Sequence, residues 1–174
     1  MPFIADPFQD PAVPEDGRQS ERALVIRRGL GRLVRHLGYS MVFELSLASG
    51  RRADVVALGQ KGEIWIIEIK SSVEDLRADN KWPDYWQHCD RLFFATHPEV
   101  PADIFPDEAG LILSDGYGAE IMRDAPEQKL SGATRKAMTL RIARAAAHRL
   151  HDLMDPRLAG LVTTGRAEPG SEDG

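Results

Sequence analysis

The sequence predicts an α/β fold in which a mixed β-sheet is flanked by helices on both faces. The first observation is a series of short apolar segments rich in β-branched residues, among them 54–58, 64–70 and 92–96. The second is that helical patterns, with apolar residues three and four positions apart, stand before, between and after these segments. Strands that are apolar on both sides need cover on both faces, which the helices provide.

The predicted elements follow in the order helix, three strands, helix, strand, hairpin, helix. The strands are residues 41–47, 54–58, 64–70, 92–96, 110–114 and 119–122, and the helices are 21–36, 82–89 and 132–153, with a short helical or irregular segment at 73–79. Ser20 is a suitable N-cap for the first helix and Gly38 a suitable C-cap. Gly29 costs about 1 kcal/mol inside that helix, which indicates that the helix approaches a strand closely.

Composition predicts one folded domain, residues 20–153, between two disordered tails, residues 1–19 and 154–174. Most of the net charge of −5 lies outside that domain. Residues 1–19 carry four acidic side chains against one basic, and residues 155–174 carry four against two, which leaves the body of the chain neutral. The total charge therefore neither supports nor excludes DNA as a partner, because clustering on one face matters more than the sum.

The sequence also predicts a cytoplasmic protein without a membrane partner. No apolar run approaches the roughly 20 residues of a membrane span. The N-terminus lacks the basic-then-apolar layout of a signal peptide. Cys89 is the single cysteine of the 174 residues, so no internal disulfide can form, which is typical of proteins in a reducing compartment.

The segment 51–72 contains charged side chains within otherwise apolar strands. If a hairpin closes symmetrically over the loop 59–63, Asp54 of one strand lies opposite Glu68 of the next. Lys70 points to the same face as Glu68, because strand side chains alternate with period two. The other predicted pairs are Leu58–Ile64 and Val56–Ile66. The register therefore brings an Asp, a Glu and a Lys together.

These residue types suit phosphodiester hydrolysis assisted by Mg²⁺ or Mn²⁺, which bind oxygen ligands. Asp54 and Glu68 are the candidate metal ligands, and Lys70 is placed to orient or deprotonate the water and to steady developing negative charge. Glu44, on the preceding strand, is either a third metal ligand or a solvated carboxylate. The alternative for the central trio is a buried ion-pair cluster, although such clusters are costly and rarely stabilise a fold.

The pattern Asp54…Glu68-Ile69-Lys70 across a hairpin resembles the PD-(D/E)XK nuclease superfamily, although Ala53 stands where the name of the motif has proline. A longer run is similar to the MmcB-like DNA repair family of bacteria. The similarity covers roughly residues 20–152 and is carried by residues 51–54, 63–72, 79–85, 89–91, 116–120 and 133–137.

The resemblance implies a restriction-endonuclease-like fold and a metal-dependent deoxyribonuclease that acts in DNA repair on damaged, branched or single-stranded DNA. It assigns the metal-binding acids to Asp54 and Glu68 and the catalytic lysine to Lys70. It also leaves room for a repair-protein partner and for a homodimer, since many nucleases of this fold are dimers. The alternatives are a catalytically silent DNA- or partner-binding module of the same fold, and an interaction protein with a purely structural charge cluster.

Candidate DNA contacts lie beside the motif. They are Arg51, Arg52, Lys81 and Gln87, of which the last two are equally well explained as a solvated face. A further basic set, Arg141, Arg144 and His148, shares one face of the last helix. A solvated helix face is the preferred interpretation of that set.

Overall fold

The computed structural model describes residues 21–157. Six strands lie within this range: β1 Ser40–Ser46, β2 Arg52–Leu58, β3 Ile64–Lys70, β4 Arg91–Thr96, β5 Gly110–Ser114 and β6 Ala119–Arg123. The helices are α1 Glu21–His36, α2 Val73–Ala78 and α3 Gly132–Met154, with two 3-10 helices at Trp82–Gln87 and Ala102–Ile104. The predicted N-cap Ser20 and both predicted tails, apart from residues 154–157, lie outside the described part of the chain. Within it, no helix has the length and hydropathy needed to cross a membrane.

The strands form one mixed sheet in the order β1-β2-β3-β4-β5-β6. The first three strands are antiparallel to one another, β3, β4 and β5 run parallel, and β6 returns antiparallel to β5. The parallel step from β3 to β4 requires a crossover, which α2 and the longer 3-10 helix supply. The order of elements and the mixed sheet confirm the predicted architecture.

Each face of the sheet has its own apolar layer. On one face α1 packs Ile26, Leu30 and Val34 against a cluster that includes Val55 and Phe93. The opposite face holds Val56, Ile66 and Phe94, and it is covered by α2, the longer 3-10 helix and α3 through Leu76, Tyr85, Met138 and Ile142. The two layers account for the nearly continuous apolar strands of the sequence and confirm the prediction of helices on both faces.

Gly29 marks the closest approach of α1 to the sheet. A Cβ atom at this position would lie 2.2 Å from Ser114 Oγ and 2.3 Å from the carbonyl oxygen of Gly118, too close for any other residue. The Ser114 hydroxyl donates to the carbonyl of Ile26 at 2.9 Å. The helix is thus joined directly to the β5–β6 hairpin, as the glycine predicted.

The predicted α-helix 82–89 is instead the 3-10 helix Trp82–Gln87. Its amides bond three residues back: Asp84 N–H donates to the carbonyl of Lys81, and His88 N–H donates to that of Tyr85. Pro83 in the first turn cannot donate a hydrogen bond, and the segment is too short for an α-helix to gain much from its own ladder. The tighter winding changes which aromatic side chains share a face, because 3-10 residues align every three positions.

Asp90, directly before β4, links α3 to the start of β3. Asp90 is 1% exposed, and its carboxylate accepts two hydrogen bonds from the guanidinium of Arg135, at 2.6 and 2.7 Å. It also accepts the backbone N–H of Ile64 at 2.8 Å and that of Leu130 at 2.9 Å. Although burial opposes ionisation, the hydrogen bonds from Arg135 and these amides hold the pKa of Asp90 below its ordinary value.

We expect Asp90→Ala to lower the free energy of unfolding by about 3–5 kcal/mol, because it leaves a guanidinium and two amides without their acceptor. Arg22→Ala is the control, since it removes an exposed ion pair with Glu99, and such pairs contribute less than about 1 kcal/mol. Chemical denaturation of both variants measures the difference. Equal losses would show that the Asp90 network does not anchor α3.

Candidate active site

The site begins where the β2–β3 ladder stops. The predicted pairs Leu58–Ile64 and Val56–Ile66 are present, and the ladder extends to Val55–Ile67. The predicted backbone pairing of Asp54 with Glu68 does not form. The prediction was wrong at this step because it assumed that regular pairing continues to the end of both strands.

At the point where the β2–β3 ladder stops, which we call the opening, side-chain oxygens accept hydrogen bonds from backbone amides. The N–H of Asp54 donates to Glu68 Oε1 at 3.1 Å, and the N–H of Ile69 donates to Asp54 Oδ2 at 2.8 Å. Each carboxylate therefore satisfies a backbone amide, and a buried amide without an acceptor would be costly. These two bonds hold both acids in place at the end of the hairpin, and the two carboxylates lie near each other as the sequence predicted.

The environment of the two acids resists negative charge. Glu68 is 4% exposed, and burial together with the neighbouring charge of Asp54 raises its pKa to about 8. Burial also raises the pKa of Asp54, with a further contribution from Glu44, against the opposing effects of the Ile69 amide and Lys70. Two carboxyl groups this close do not both ionise readily, so the pair retains a proton near neutral pH.

Lys70 is buried at 8% exposure and forms an ion pair with a residue that the site prediction did not include. Its Nζ lies 2.6 Å from Oδ2 of Asp79, the residue that directly follows α2. Burial acts to raise the pKa of Asp79, but the hydrogen bonds from Lys70 and from the Lys81 amide bring it below the ordinary value. Lys70 is therefore near the two acids and acts on the charge of both, while its hydrogen bond goes to Asp79.

Tyr85 is a second site residue that the sequence did not reveal. Its hydroxyl donates to the carbonyl of Arg52 at 3.1 Å, and burial with the nearby charges of Glu68 and Asp54 raises its pKa. An α-helical reading of this segment places Trp82 and Trp86 together, whereas three residues per turn place Trp82 with Tyr85. The available signal in the sequence was the spacing of three between Trp82 and Tyr85, with Pro83 in the first turn.

Glu44 lies next to the acids but is held by a basic side chain. Its φ of +51° is the one positive value at a non-glycine residue among those described, and its Oε2 lies 3.2 Å from Arg52 Nη1. Within residues 21–157 no group of three or more His, Cys, Asp or Glu side chains is arranged to hold a metal ion. The structure thus brings the carboxylates of Asp54 and Glu68 together and pairs that of Glu44 with Arg52, and Glu44 as a third metal ligand stays a prediction.

The four predicted DNA contacts lie in different surroundings. Arg51 donates twice to Asp84 Oδ2, at 2.7 and 3.1 Å, and is half-buried. Arg52 is exposed and bound to Glu44, whereas Lys81 and Gln87 have exposed side chains. Two of the four are thus engaged in ion pairs, and a DNA contact by any of the four stays a prediction.

The raised pKa of Glu68 gives a testable pH dependence of stability. Because the folded protein holds this proton up to about pH 8 and the unfolded chain releases it near 4.5, wild-type stability falls as pH rises between these values. Glu68→Gln keeps the acceptor for the Asp54 amide and removes the charge. We expect it to be more stable than wild type at pH 9 by on the order of 1–3 kcal/mol.

Urea unfolding in chelator from pH 4.5 to 9 measures this difference. Glu120→Gln, at an exposed position of β6, is the matched control and should follow the wild-type curve. A Glu68→Gln curve that is parallel to the wild-type curve would contradict the raised pKa.

Comparison with solved structures places the fold next to two proteins. A protein of unknown function from Silicibacter pomeroyi is 45% identical, with a TM-score of 0.77 over 84% of this chain and 99% of that one. A repair endonuclease from Pyrococcus abyssi is 16% identical, with a TM-score of 0.34 over 51% of this chain and 42% of the other, which is too slight a likeness to carry an inference.

Sequence families give the assignment. None of the curated proteins compared with the chain matches it significantly. The family described as DNA repair protein MmcB-like matches residues 9–157, which is most of the chain. The resemblance predicted from the hairpin motif and its flanking runs is confirmed, and the chain belongs to the MmcB-like family of DNA repair proteins.

Proposed function

We propose that this protein is a metal-dependent nuclease that hydrolyses phosphodiester bonds of DNA during repair. The observation that carries the proposal is the pair of carboxylates at the open end of the β2–β3 hairpin, with Lys70 two residues beyond Glu68. Family membership supports DNA repair as the setting. The finer assignments, to damaged, branched or single-stranded DNA, to a repair-protein partner and to a homodimer, stay predictions.

Asp54 and Glu68 fit a hard divalent cation such as Mg²⁺ or Mn²⁺. Such ions bind one or two carboxylates together with waters and substrate phosphate, so two acids suffice without Glu44. The pKa of each carboxyl group is raised, which indicates that the protein alone supplies too little positive charge beside them to offset their burial and the neighbouring negative charges. When bound, the cation would supply charge relief on the phosphoryl oxygens and a more acidic water.

The residues of the chain itself would position the reacting groups around the cation and accept protons there. Glu68 and Asp54 are fixed by backbone amides, so their oxygens would need little rearrangement to bind the cation. Asp79 holds the Lys70 ammonium at 2.6 Å and thereby keeps a positive charge on the face that Glu68 occupies. From there Lys70 can orient a water or stabilise the developing negative charge, with Asp79 as its positioning residue.

One observation favours the alternative of a binding module without catalysis. Lys70 is already satisfied by Asp79, and Glu44 by Arg52, so two of the four charged groups expected to act on substrate or metal are engaged within the protein. A silent module would bind DNA with a steep dependence on salt and would leave the DNA intact in Mg²⁺ or Mn²⁺. Hydrolysis that depends on Asp54 separates the two functions.

We expect Mg²⁺- or Mn²⁺-dependent cleavage of single-stranded, flapped or lesion-bearing DNA by the wild type. Asp54→Asn and Lys70→Ala should each lower the cleavage rate by at least about 100-fold, because each removes a charge that acts on the transition state. The measurement is gel-resolved cleavage of end-labelled oligonucleotides. Glu120→Gln, far along the sheet on β6, should cleave at the wild-type rate.

Equal rates in the wild type and both site variants would show that another site, or a contaminant, cuts the DNA. No cleavage of any substrate, combined with retained DNA binding, would favour the silent module instead.

Metal binding gives a readout that does not depend on activity. Because Asp54 and Glu68 together keep a proton near neutral pH, Mn²⁺ binding should release protons. Titration calorimetry at pH 7 in buffers of different ionisation enthalpy measures this release. Glu68→Gln should bind Mn²⁺ at least about tenfold more weakly, since one of the two charged ligands is gone. Binding of unchanged strength in Glu68→Gln would place the ion elsewhere.

A further inference from the structure

A groove runs between α3 and the edge strand β1, beside the proposed active site. We call it the α3–β1 groove. It has a volume of about 490 Å³, and its charged and polar lining consists of Glu44, Ser46, Arg141, Arg144, His148 and Arg149. The preferred sequence interpretation treated part of this set as a solvated helix face. The structure instead places the basic side chains along one wall of a concave surface.

Two of the arginines are held in place by the strand opposite. Arg141 Nη1 donates to the carbonyl of Ser46 at 3.0 Å, and Arg149 Nη2 donates to the carbonyl of Glu44 at 3.1 Å. A guanidinium has several further N–H donors, so each retains donors for a ligand. The carbonyl bonds reduce the freedom of both side chains, which lowers the entropy lost when they bind an anion.

Arg144 lies between these two residues on α3 and is exposed. Within the described part of the chain it makes no hydrogen bond or ion pair. The one acid of the lining, Glu44, is paired with Arg52. The groove lining therefore carries net positive charge and includes a guanidinium that pairs with no carboxylate of residues 21–157.

The groove leads to the carboxylate pair. Glu44 belongs to the groove lining, and its chain neighbours Phe43 and Leu45 pair with Val55 and Ala53, the residues on either side of Asp54, so the two sites adjoin. Arg52, two residues before Asp54 on β2, contacts Glu44 at 3.2 Å. A negatively charged strand lying along α3 would reach the acids at the Glu44 end.

We propose that the α3–β1 groove binds the sugar–phosphate backbone of one DNA strand and leads it toward Asp54 and Glu68. This inference rests on the proposed nuclease function. The walls are one helix and one strand, and the volume is that of a small-ligand site, which suits a short stretch of the backbone of one strand. No Phe, Tyr or Trp side chain lines the groove among the described residues, so we expect recognition to use phosphates rather than stacking of bases on such rings.

Arg144→Glu tests the proposal, with Lys136→Glu as the control. Lys136 is also an exposed cation of α3 and is not part of the groove lining, so the change of charge is identical. Fluorescence anisotropy with a labelled single-stranded oligonucleotide, in chelator to prevent cleavage, measures affinity. We expect Arg144→Glu to bind at least about tenfold more weakly and to reduce the slope of log K against log salt by about 1, whereas Lys136→Glu stays within about twofold of wild type.

The result should be the same for oligonucleotides of different sequence. Equal weakening in the two variants, no binding by the wild type, or an Arg144→Glu defect confined to duplex DNA would overturn the proposal. Both variants should keep the wild-type melting temperature, since neither side chain is buried.

The binding assay also separates this proposal from the nuclease function on which it rests. If the wild type cleaves DNA and Arg144→Glu binds DNA normally, the nuclease proposal stands and the groove proposal fails. If the wild type binds DNA through Arg144 but never cleaves it, the groove proposal stands and the nuclease proposal fails.

Discussion

The opening of the β2–β3 ladder at Asp54 and Glu68 determines where the chemistry of this protein can lie. Continued pairing would have joined the two strands here through backbone groups. Instead the carboxylate of Glu68 accepts the N–H of Asp54, and that of Asp54 accepts the N–H of Ile69. The same two hydrogen bonds end the hairpin and position the acids, so the local fold and the site depend on one set of contacts.

The distribution of charge around this opening explains why the acids stay difficult to ionise. The nearest cations are bound to other acids: Lys70 to Asp79 and Arg52 to Glu44. Glu68 and Asp54 form no direct ion pair with these cations. Lys70 acts to lower the pKa of both acids, but burial and the neighbouring negative charges outweigh it, so both pKa values are raised. A buried pair that lacks a counter-charge lowers stability, and such costs are common where a protein must bind an ion or substrate.

The strands and main helices could be predicted because local pattern determines them. The five-residue loop and the alternation of apolar residues set the pairs Val56–Ile66 and Leu58–Ile64. The end of the ladder could not be predicted, since it depends on side chains that replace backbone acceptors. The left-handed conformation of Glu44 within a strand has no signal in composition either, because glycine is the usual residue there.

Tertiary contacts set the remaining limits of sequence reasoning. Asp79 reaches Lys70 only because α2 folds back over the sheet, and Tyr85 reaches the site only because its helix winds with three residues per turn. The contact of Arg141 with Ser46 spans 95 positions in the chain. No local pattern reports a pairing of that separation, so a basic helix face and a strand edge were visible separately and their shared groove was not.

The central claim is that Asp54 and Glu68 together hold a divalent cation. Anomalous diffraction from crystals soaked in Mn²⁺ tests it most directly, because the anomalous signal locates the metal without reference to activity. We expect a peak bound by oxygens of both carboxylates, with the Lys70–Asp79 pair beside it. A Mn²⁺ peak elsewhere in the protein, or full soaking with no peak at these two acids, would contradict the claim.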